Sequence, residues 1–559
     1  MTLAAPLDSL PAQYHCSARG WGAVRILSFK PGHDGTTALI EDGRLVFSHE
    51  AEKGSFPRYG ELSPTAVLDA MARMDGPPDV VCLSGWVKGF HSTEPPLGAG
   101  YFGFDGSETL VGESRMLGHR VRTFSSTHER SHLLSAYGMS DIEHGSPCYA
   151  LVWEGNIGSF YEFTPDVRIR RVRAVLEDPG NKYQHIFALA DPSSPPQHGG
   201  FRFSNAGKMM ALTGFARSSP VSRAEGELIE YILDQPSILL TAPKEKLAWS
   251  PFHDIGVESQ EFKDLAAKHS KAIFERFLTV AEQELTRGLP LLIAGGCGLN
   301  CDWNRQWRDC GLFPEVFVPP CPNDSGSAIG TAIDAQLHFT GQSKIAWNVY
   351  SGPEFLHDRT REQIRDSFDE HALDLMQVAE LLASGRVLAW VQGNCEIGPR
   401  ALGNRSLLAA PFEPRMRDQL NRIKLREPYR PIAPVCREED VSDHFDWDGP
   451  SPYMLYFQHV RDQRLQAVTH VDGTARAQTV NAGENPRLHG LLGAFKQLTG
   501  AGVLCNTSLN LPGRGFINST SDLIAYVLDR RIDGFVLEDR LYVTQRGPLA
   551  LTGNEDGTA

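Results

Sequence analysis

The apolar run from Val24 to Phe29 (VRILSF) predicts a buried strand, and the glycine-bearing KPGHDG that follows ends it. TALIEDGRLVFSHE then carries two apolar runs around Asp42-Gly43, the pattern of a hairpin. CYALVWEGNIGSFYEF repeats it with Gly155-Asn156 at the turn. Two hairpins, each beside a polar loop at a strand end, point to an internally duplicated α/β architecture. From Glu258 to Thr286, Phe262, Leu265, Ala266, Ile273, Phe274, Phe277 and Leu278 recur at the spacing of one helix face, and LPLLIAGG after them reads as a strand. EVFVPP supplies a further strand, and GSAIGTAIDAQL a helix of small residues. Gly, Ser and Pro interrupt the pattern between Phe339 and Leu356 and mark a domain boundary. A mixed α/β region follows and ends in the strand-like FVLEDRLYVTQ near Gln545. The expected division is an N-terminal extension 1–24, a first domain 25–345, a second domain 346–548 and a tail 549–559.

Over 559 residues, 41% apolar and 22% charged side chains are ordinary globular usage, and 53 Gly with 36 Pro stay below the share typical of disordered chains. With 68 acidic against 54 basic residues the net charge is −14, which argues against a nucleic-acid partner. The first 24 residues lack the cationic start and apolar run of an export signal, and no stretch of about 20 apolar residues occurs. A cytoplasmic protein with no membrane partner is therefore expected. Cys297, Cys301, Cys310 and Cys321 do not form the C-x2-C pairs of structural zinc and are expected to be buried reduced thiols.

The sharpest local pattern is His128-Glu129-Arg130-Ser131-His132. Ser125, Ser126 and Thr127 before it can cap a helix, whose i, i+4 spacing puts both imidazoles on one face, as chelation requires. Read as H-E-x-x-H it is a zinc peptidase motif with Glu129 as general base; read as H-x-x-x-H it is a ligand pair that needs an acid from elsewhere. Asp324, in PPCPNDSGSAIG, can project from a strand end as that acid, or can cap the helix behind it. The glycines of AGGCGLN, residues 294–300, either bring backbone close to a nucleotide or simply turn a strand into a helix. Positive charge concentrates at 400–430, where eight bases face three acids and suit a small phosphorylated ligand. Arg400 and Arg405 in GPRALGNRS, and Arg430 in YRPIAP, are held in turns bounded by Gly and Pro.

Between about Arg25 and Gln545 the chain carries, in order, GHDG, H-x-x-x-H, AGGxxLN, PPxxxDxGxAxG, GxxExGPRALGxRS, RPxAP and NTSxN. This ordered set resembles the O-carbamoyltransferase family of nodulation and antibiotic-tailoring enzymes, which includes those modifying tobramycin, novobiocin and hydroxymethyl cephems. FKPGHDG with SHEAEKGSFPR is most similar to the cephem branch. The resemblance implies an α/β protein of two domains. A duplicated actin-like ATPase domain, similar to the tRNA threonylcarbamoyl transferase, holds a metal and transfers the carbamoyl group. A C-terminal YrdC-like domain makes carbamoyl adenylate from ATP and carbamoyl phosphate, and the adenylate passes internally between the sites.

The same resemblance places the metal ligands at His128, His132 and Asp324 and the catalytic histidine at His33. Nucleotide contacts of the first domain fall on Gly295, Gly296, Asn300 and Lys208. Carbamoyl phosphate and ATP contacts of the second fall on Arg400, Arg405, Lys424, Arg430, Arg476 and Asn506. Iron(II) is the implied metal, zinc or manganese suit the same ligands, and magnesium accompanies ATP. Where relatives often have VDG, this chain has Trp153-Glu154-Gly155, which leaves the role of Glu154 open. The implied acceptor is a small-molecule alcohol in antibiotic tailoring, and the oligomeric state is open, a homodimer included. A tRNA threonylcarbamoyl transferase should show a broad basic face, and a zinc peptidase leaves GPRALGNRS and RPIAP unexplained.

Overall fold

In the computed structural model, which describes residues 24–87, 95–194 and 203–545, the first predicted hairpin becomes β2 (Thr36–Glu41) and β3 (Arg44–Glu50), beside β1 (Arg25–Lys30). Residues 1–23 of the expected extension, and the tail 549–559, lie outside the described residues. β4 (Val80–Ser84), β5 (Leu110–Met116) and β6 (His119–Ser126) complete a six-stranded sheet ordered β3-β2-β1-β4-β6-β5. The second predicted hairpin becomes β7 (Cys148–Trp153) and β8 (Gly158–Phe163). With β9 (Ile169–Ala174), β10 (Leu291–Ala294) and β11 (Val316–Phe317) it forms a five-stranded sheet ordered β11-β10-β7-β8-β9. Pairing repeats between the sheets. β1 and β7 are each antiparallel to the strand that follows them and parallel to β4 and β10, respectively. β6 and β11 then extend the parallel side.

Two helices, His128–Met139 and Ser327–Thr340, pack against each other between the sheets, the first on β7 and β10 and the second on β1, β2 and β4. Thr127 caps the first by accepting the Arg130 N–H at 3.2 Å. All its residues are buried, although HERSH is strongly polar. Leu133, Leu134, Ile329 and Ile333 share one core with Ile26, Val80 and Val152, and each such burial contributes about 1.5–3 kcal/mol. The small residues of the second helix permit this approach: a Cβ on Gly330 would lie 1.8 Å from the Ser131 carbonyl oxygen. The predicted helix over 258–286 forms as Gln260–Glu284, capped by Ser259, with Phe262, Leu265, Ile273 and Phe277 in the core under the second sheet.

The C-terminal region folds around one mixed sheet. Its strands are β12 (Phe368–Ala372), β13 (Leu388–Val391), β14 (Arg405–Ala409) and β15 (Ala433–Arg437), then, after a two-stranded ribbon of β16 (Gln458–His459) and β17 (Thr474–Ala475), β18 (Gln478–Val480), β19 (Val503–Ser508), β20 (Gly534–Leu537) and β21 (Arg540–Thr544). The order is β12-β21-β20-β13-β14-β19-β15-β18. Alternation along β13 sends Ala389 and Val391 into one core and Leu388 and Trp390 into another.

The loop after β3 ties the two regions together. The N–H groups of Gly54 and Ser55 donate to the Phe516 carbonyl at 3.0 and 2.9 Å, and that of Arg58 to Gly513 at 3.0 Å. Buried Lys53 donates to the carbonyls of Glu396 and Gly398, both at 2.7 Å, and lies 3.5 Å from Glu50. The nine described cysteines are free, and all but Cys310 are buried. Among the described residues, no helix is long and apolar enough to cross a membrane.

Candidate functional site

The turn spacing of the 128–139 helix puts His128 and His132 on one face, with their Nε2 atoms 3.2 Å apart. Glu154, one residue past β7, and Asp324, in the short turn before the 327–340 helix, close on them from two other elements. Glu154 Oε2 lies 3.3 Å from His128 and 3.7 Å from His132, and Asp324 Oδ1 lies 3.5 and 3.4 Å from the same nitrogens. All four groups are buried, and their donor atoms lie within 4.8 Å of one another. Ligands held at about 2.1 Å from a single ion stand roughly 3.0–3.4 Å from each other. The spacing and the two-nitrogen, two-oxygen donor set therefore fit one divalent ion.

Burial alone would raise the Glu154 carboxyl, but hydrogen bonding to His128 and His132 pulls it down to about 2. Burial likewise opposes ionisation of Asp324, yet Lys30, then His128 and His33, hold it well below the usual carboxylate range. Tyr101 donates its hydroxyl to Glu154 at 2.7 Å and stacks on the His128 ring at 4.3 Å, fixing both. Lys30, fully buried, puts its ammonium 3.0 Å from Asp324 Oδ2 and over the Trp86 ring. Glu129 turns elsewhere: it accepts from the Gly103 N–H at 2.8 Å, from Arg171 at 2.7 Å and from the Tyr161 hydroxyl. The H-E-x-x-H reading therefore fails, because its supposed general base is spent on structural contacts away from the histidine nitrogens.

His33 stands at the mouth of this cluster, in the loop after β1. Asp34, at φ 53°, turns back so that its carboxylate meets His33 Nδ1 at 2.9 Å. That leaves Nε2, 3.6 Å from Asp324, as the nitrogen free to take a proton. Burial lowers the imidazole's pKa, but Asp324 and the Asp34 hydrogen bond outweigh it and hold it above the ordinary value. Trp86 and Phe203 flank the ring at 5.1 and 4.7 Å.

From this mouth a cavity of about 350 Å³ runs to the C-terminal region, lined by His33, Glu154 and Asp324 at one end and by Arg400, Arg430 and Arg476 at the other. Among the described residues Arg400, Arg426 and Arg476 pair with no carboxylate, and Arg430 has only Glu427, at 3.8 Å. Burial lowers Arg400 to about 9, with repulsion from Arg476 adding to it, and lowers Arg426 to about 9 with help from Arg430. The Nε atoms of Arg400 and Arg476 are buried without an acceptor, and Asn506 Oδ1 without a donor. Stranded donors among uncompensated cations form a site for an anion. Glu396 shapes its wall: one carboxylate oxygen accepts the N–H groups of Leu402, Asn404 and Arg405 at 2.7, 2.8 and 3.1 Å and so fixes the loop that carries Arg400.

Family models for the carbamoyltransferase N-terminus and C-terminus match residues 116–333 and 379–544. The 3'-hydroxymethylcephem-O-carbamoyltransferase of Streptomyces clavuligerus is 50% identical over 518 residues, covering 92% of this chain and 98% of that one. This chain belongs to the carbamoyltransferase family. An enzyme of the same description from Amycolatopsis lactamdurans is 49% identical over 523 residues, 93% of this chain and all of its own length. Nodulation protein U of Rhizobium tropici is 35% identical over 535 residues, covering 88% and 92% of the two chains.

Within this carbamoyltransferase the expected residues separate into two groups. His33, Asp324, Gly296, Asn300, Arg400, Arg430, Arg476 and Asn506 line the cavity, with His128 and His132 directly behind Asp324. Gly295 stands behind the wall; at φ +92° it allows a close approach to Trp153, whose carbonyl a Cβ would meet at 2.4 Å. Arg405 is saturated by Asn518 and by the carbonyls of Gln392, Gly393 and Asn404, and Lys424 by Ser508 and Asn510. Lys208 pairs with Glu427 at 2.6 Å. None of these last three residues lines the cavity. Glu154, Lys30, Tyr101, Arg58 and Arg426 joined the site only on folding. Glu154 carried a signal, an acid after a hairpin strand, and Arg426 stood in the basic 400–430 segment; Lys30, Tyr101 and Arg58 carried none, because nothing in the local sequence of each shows which group it will meet.

Proposed function

We propose that this carbamoyltransferase is an ATP-dependent O-carbamoyltransferase acting on the hydroxymethyl group of a small-molecule acceptor of the cephem kind. Carbamate, released from carbamoyl phosphate by water with loss of phosphate, attacks the α-phosphorus of ATP; pyrophosphate leaves, and carbamoyl adenylate remains. The acceptor oxygen then attacks the carbamoyl carbon and AMP departs. The observation that carries this reading is the single cavity with an excess of buried arginine charge at one end and His33 beside the two-histidine, two-carboxylate cluster at the other. Support for the acceptor comes from the two cephem-modifying relatives.

In this reading Arg400, Arg430 and Arg476 hold the phosphorylated substrates, while Asn506, whose Oδ1 lacks a donor, orients the carbamoyl amide. His33 Nε2 removes the acceptor's hydroxyl proton, and Asp34 stabilises the imidazolium that results. His128, His132, Glu154 and Asp324 would hold a divalent ion, iron(II) ahead of zinc or manganese, which when bound supplies positive charge to stabilise the departing phosphate. The repeated strand order of the first two sheets supports a duplicated actin-like ATPase domain, and the C-terminal motifs support a YrdC-like one. The cytoplasm, where ATP and carbamoyl phosphate are made, is the compartment this chemistry requires.

Purified chain, iron(II), magnesium, ATP, carbamoyl phosphate and a hydroxymethyl cephem should yield AMP, pyrophosphate and carbamoylated product. Omitting the acceptor should still permit pyrophosphate release, and omitting carbamoyl phosphate should abolish it. Product formation without ATP would refute the adenylate.

A further inference from the structure

β5 ends one side of the first sheet, and among the described residues nothing pairs with its outer edge. The turn that joins it to β6, Leu117-Gly118, has φ of 48° and 85°, the type I′ geometry, so the flanking pair Met116 and His119 exchanges hydrogen bonds. Alternation then spends the backbone groups of Ser114, Gly112 and Leu110 on β6 and turns those of Val111, Glu113 and Arg115 outward. An open edge of this kind is a template for another strand. Other sheet ends are protected. β9 carries Arg170, Arg171 and Arg173 and β12 carries Asp369 and Glu370, each a guard of one sign. β3 is bonded to Ala346 and Ser351.

The β5 edge instead matches itself. Glu113 and Arg115 flank Ser114, and beyond them stand Val111 and Leu117, 50% and 81% exposed. In an antiparallel second copy centred on Ser114, Glu113 meets Arg115 twice and Val111 meets Leu117 twice. Glu113 and Arg115 are also positions whose backbone groups point outward, so the same register completes the ladder. Moving the centre by one residue sets Glu113 against Glu113 or Arg115 against Arg115, a like-charge pair on the axis. Within its own hairpin Arg115 lies opposite Arg120, again a like charge, and Glu113 reaches Arg120 at 3.7 Å with both side chains exposed. Each charge therefore gains from an opposite partner on the open side.

We infer that this chain forms a two-fold dimer by antiparallel pairing of β5 with β5 of a second copy, joining the two six-stranded sheets into one. Residues 110–117 do not line the cavity, so the interface can be altered without touching it.

Sedimentation velocity of the full chain should show a species of twice its 61.7 kDa mass. Glu113→Arg and Arg115→Glu each set two like-charge pairs across the axis and should weaken the dimer by about tenfold or more, whereas the double variant restores both pairs and should return to within about threefold of wild type. Ser114→Cys gives a readout that does not depend on charge. Its thiol would face its own symmetry mate in a pair whose Cα atoms stand about 4.5 Å apart, within disulfide range, so mild oxidation should link two chains. Leu110→Cys, about 27 Å from its mate in this register, should not link, nor should wild type under the same oxidation. The inference is overturned by a wild type that sediments as a monomer at about 100 μM, by single variants that dimerise as wild type does, or by a double variant no tighter than the singles. A link through Leu110→Cys and none through Ser114→Cys overturns it as well.

Discussion

Replacing Gly330 by Ala should cost this carbamoyltransferase its metal site by forcing apart the two helices that carry it. The added Cβ would sit 1.8 Å from the Ser131 carbonyl oxygen and 3.0 Å from the Ser135 N–H nitrogen. Real Cβ atoms keep more than 3.0 Å, and the obstacle is helix backbone, so the helices must part by at least about 1.2 Å. His128 and His132 ride on one helix and Asp324 stands at the start of the other. Their separations of 3.5 and 3.4 Å would then grow to roughly 4.5 Å, beyond what ligands sharing one ion can span. Overpacking of this kind costs typically about 1–3 kcal/mol of stability. Metal content after equilibration with iron(II) and dialysis, with urea unfolding in parallel, reads both effects. Gly226→Ala is the control, because that backbone is helical and a Cβ there meets only Val221, at an ordinary 3.7 Å. Gly330→Ala with full metal content and stability within about 0.5 kcal/mol of wild type would refute the reasoning.

His33→Asn should keep metal and ATP consumption while lowering transfer to the acceptor by roughly the 10² to 10⁴ of a lost general base; transfer above a tenth of wild type removes His33 from the role. Arg400→Ala should abolish pyrophosphate release yet still use synthetic carbamoyl adenylate, whereas His132→Ala should release pyrophosphate and fail to transfer; loss of both activities in both variants, each folded by circular dichroism, would contradict the division. Burial outweighs Lys53 and raises the Glu50 carboxyl to about 7, above the 4.5 of a free glutamate. The folded state then holds an extra proton between those values, so this group's stabilisation is present at low pH and is lost as pH rises through about 7. Glu50→Gln should flatten that part of the stability profile, and identical slopes for wild type and variant would rule the effect out.

Strand and helix identity was legible where one period dominated a segment. VRILSF, both hairpins and the long helix over 260–284 followed their apolar spacing, because those elements bury a single face and the pattern records it. His128 and His132 were legible as a pair because the helix itself sets their distance. Tertiary structure alone decided what surrounded them. HERSH is strongly polar, yet lies between two sheets, because glycine at 330 and the neighbouring small residues let a second helix cover it. Glu129 and Glu154 could not be told apart as partners of the histidines: one faces Arg171 and Tyr161, the other the ring nitrogens, and only the meeting of β7 with the helix sets that orientation. Arg405 and Arg400, five residues apart in one motif, part in the same way, the first saturated by backbone carbonyls and the second left with a buried free donor. Local spacing dictates the direction of a side chain from its own element, but whether it meets a counter-charge or an empty cavity depends on elements far away in the chain.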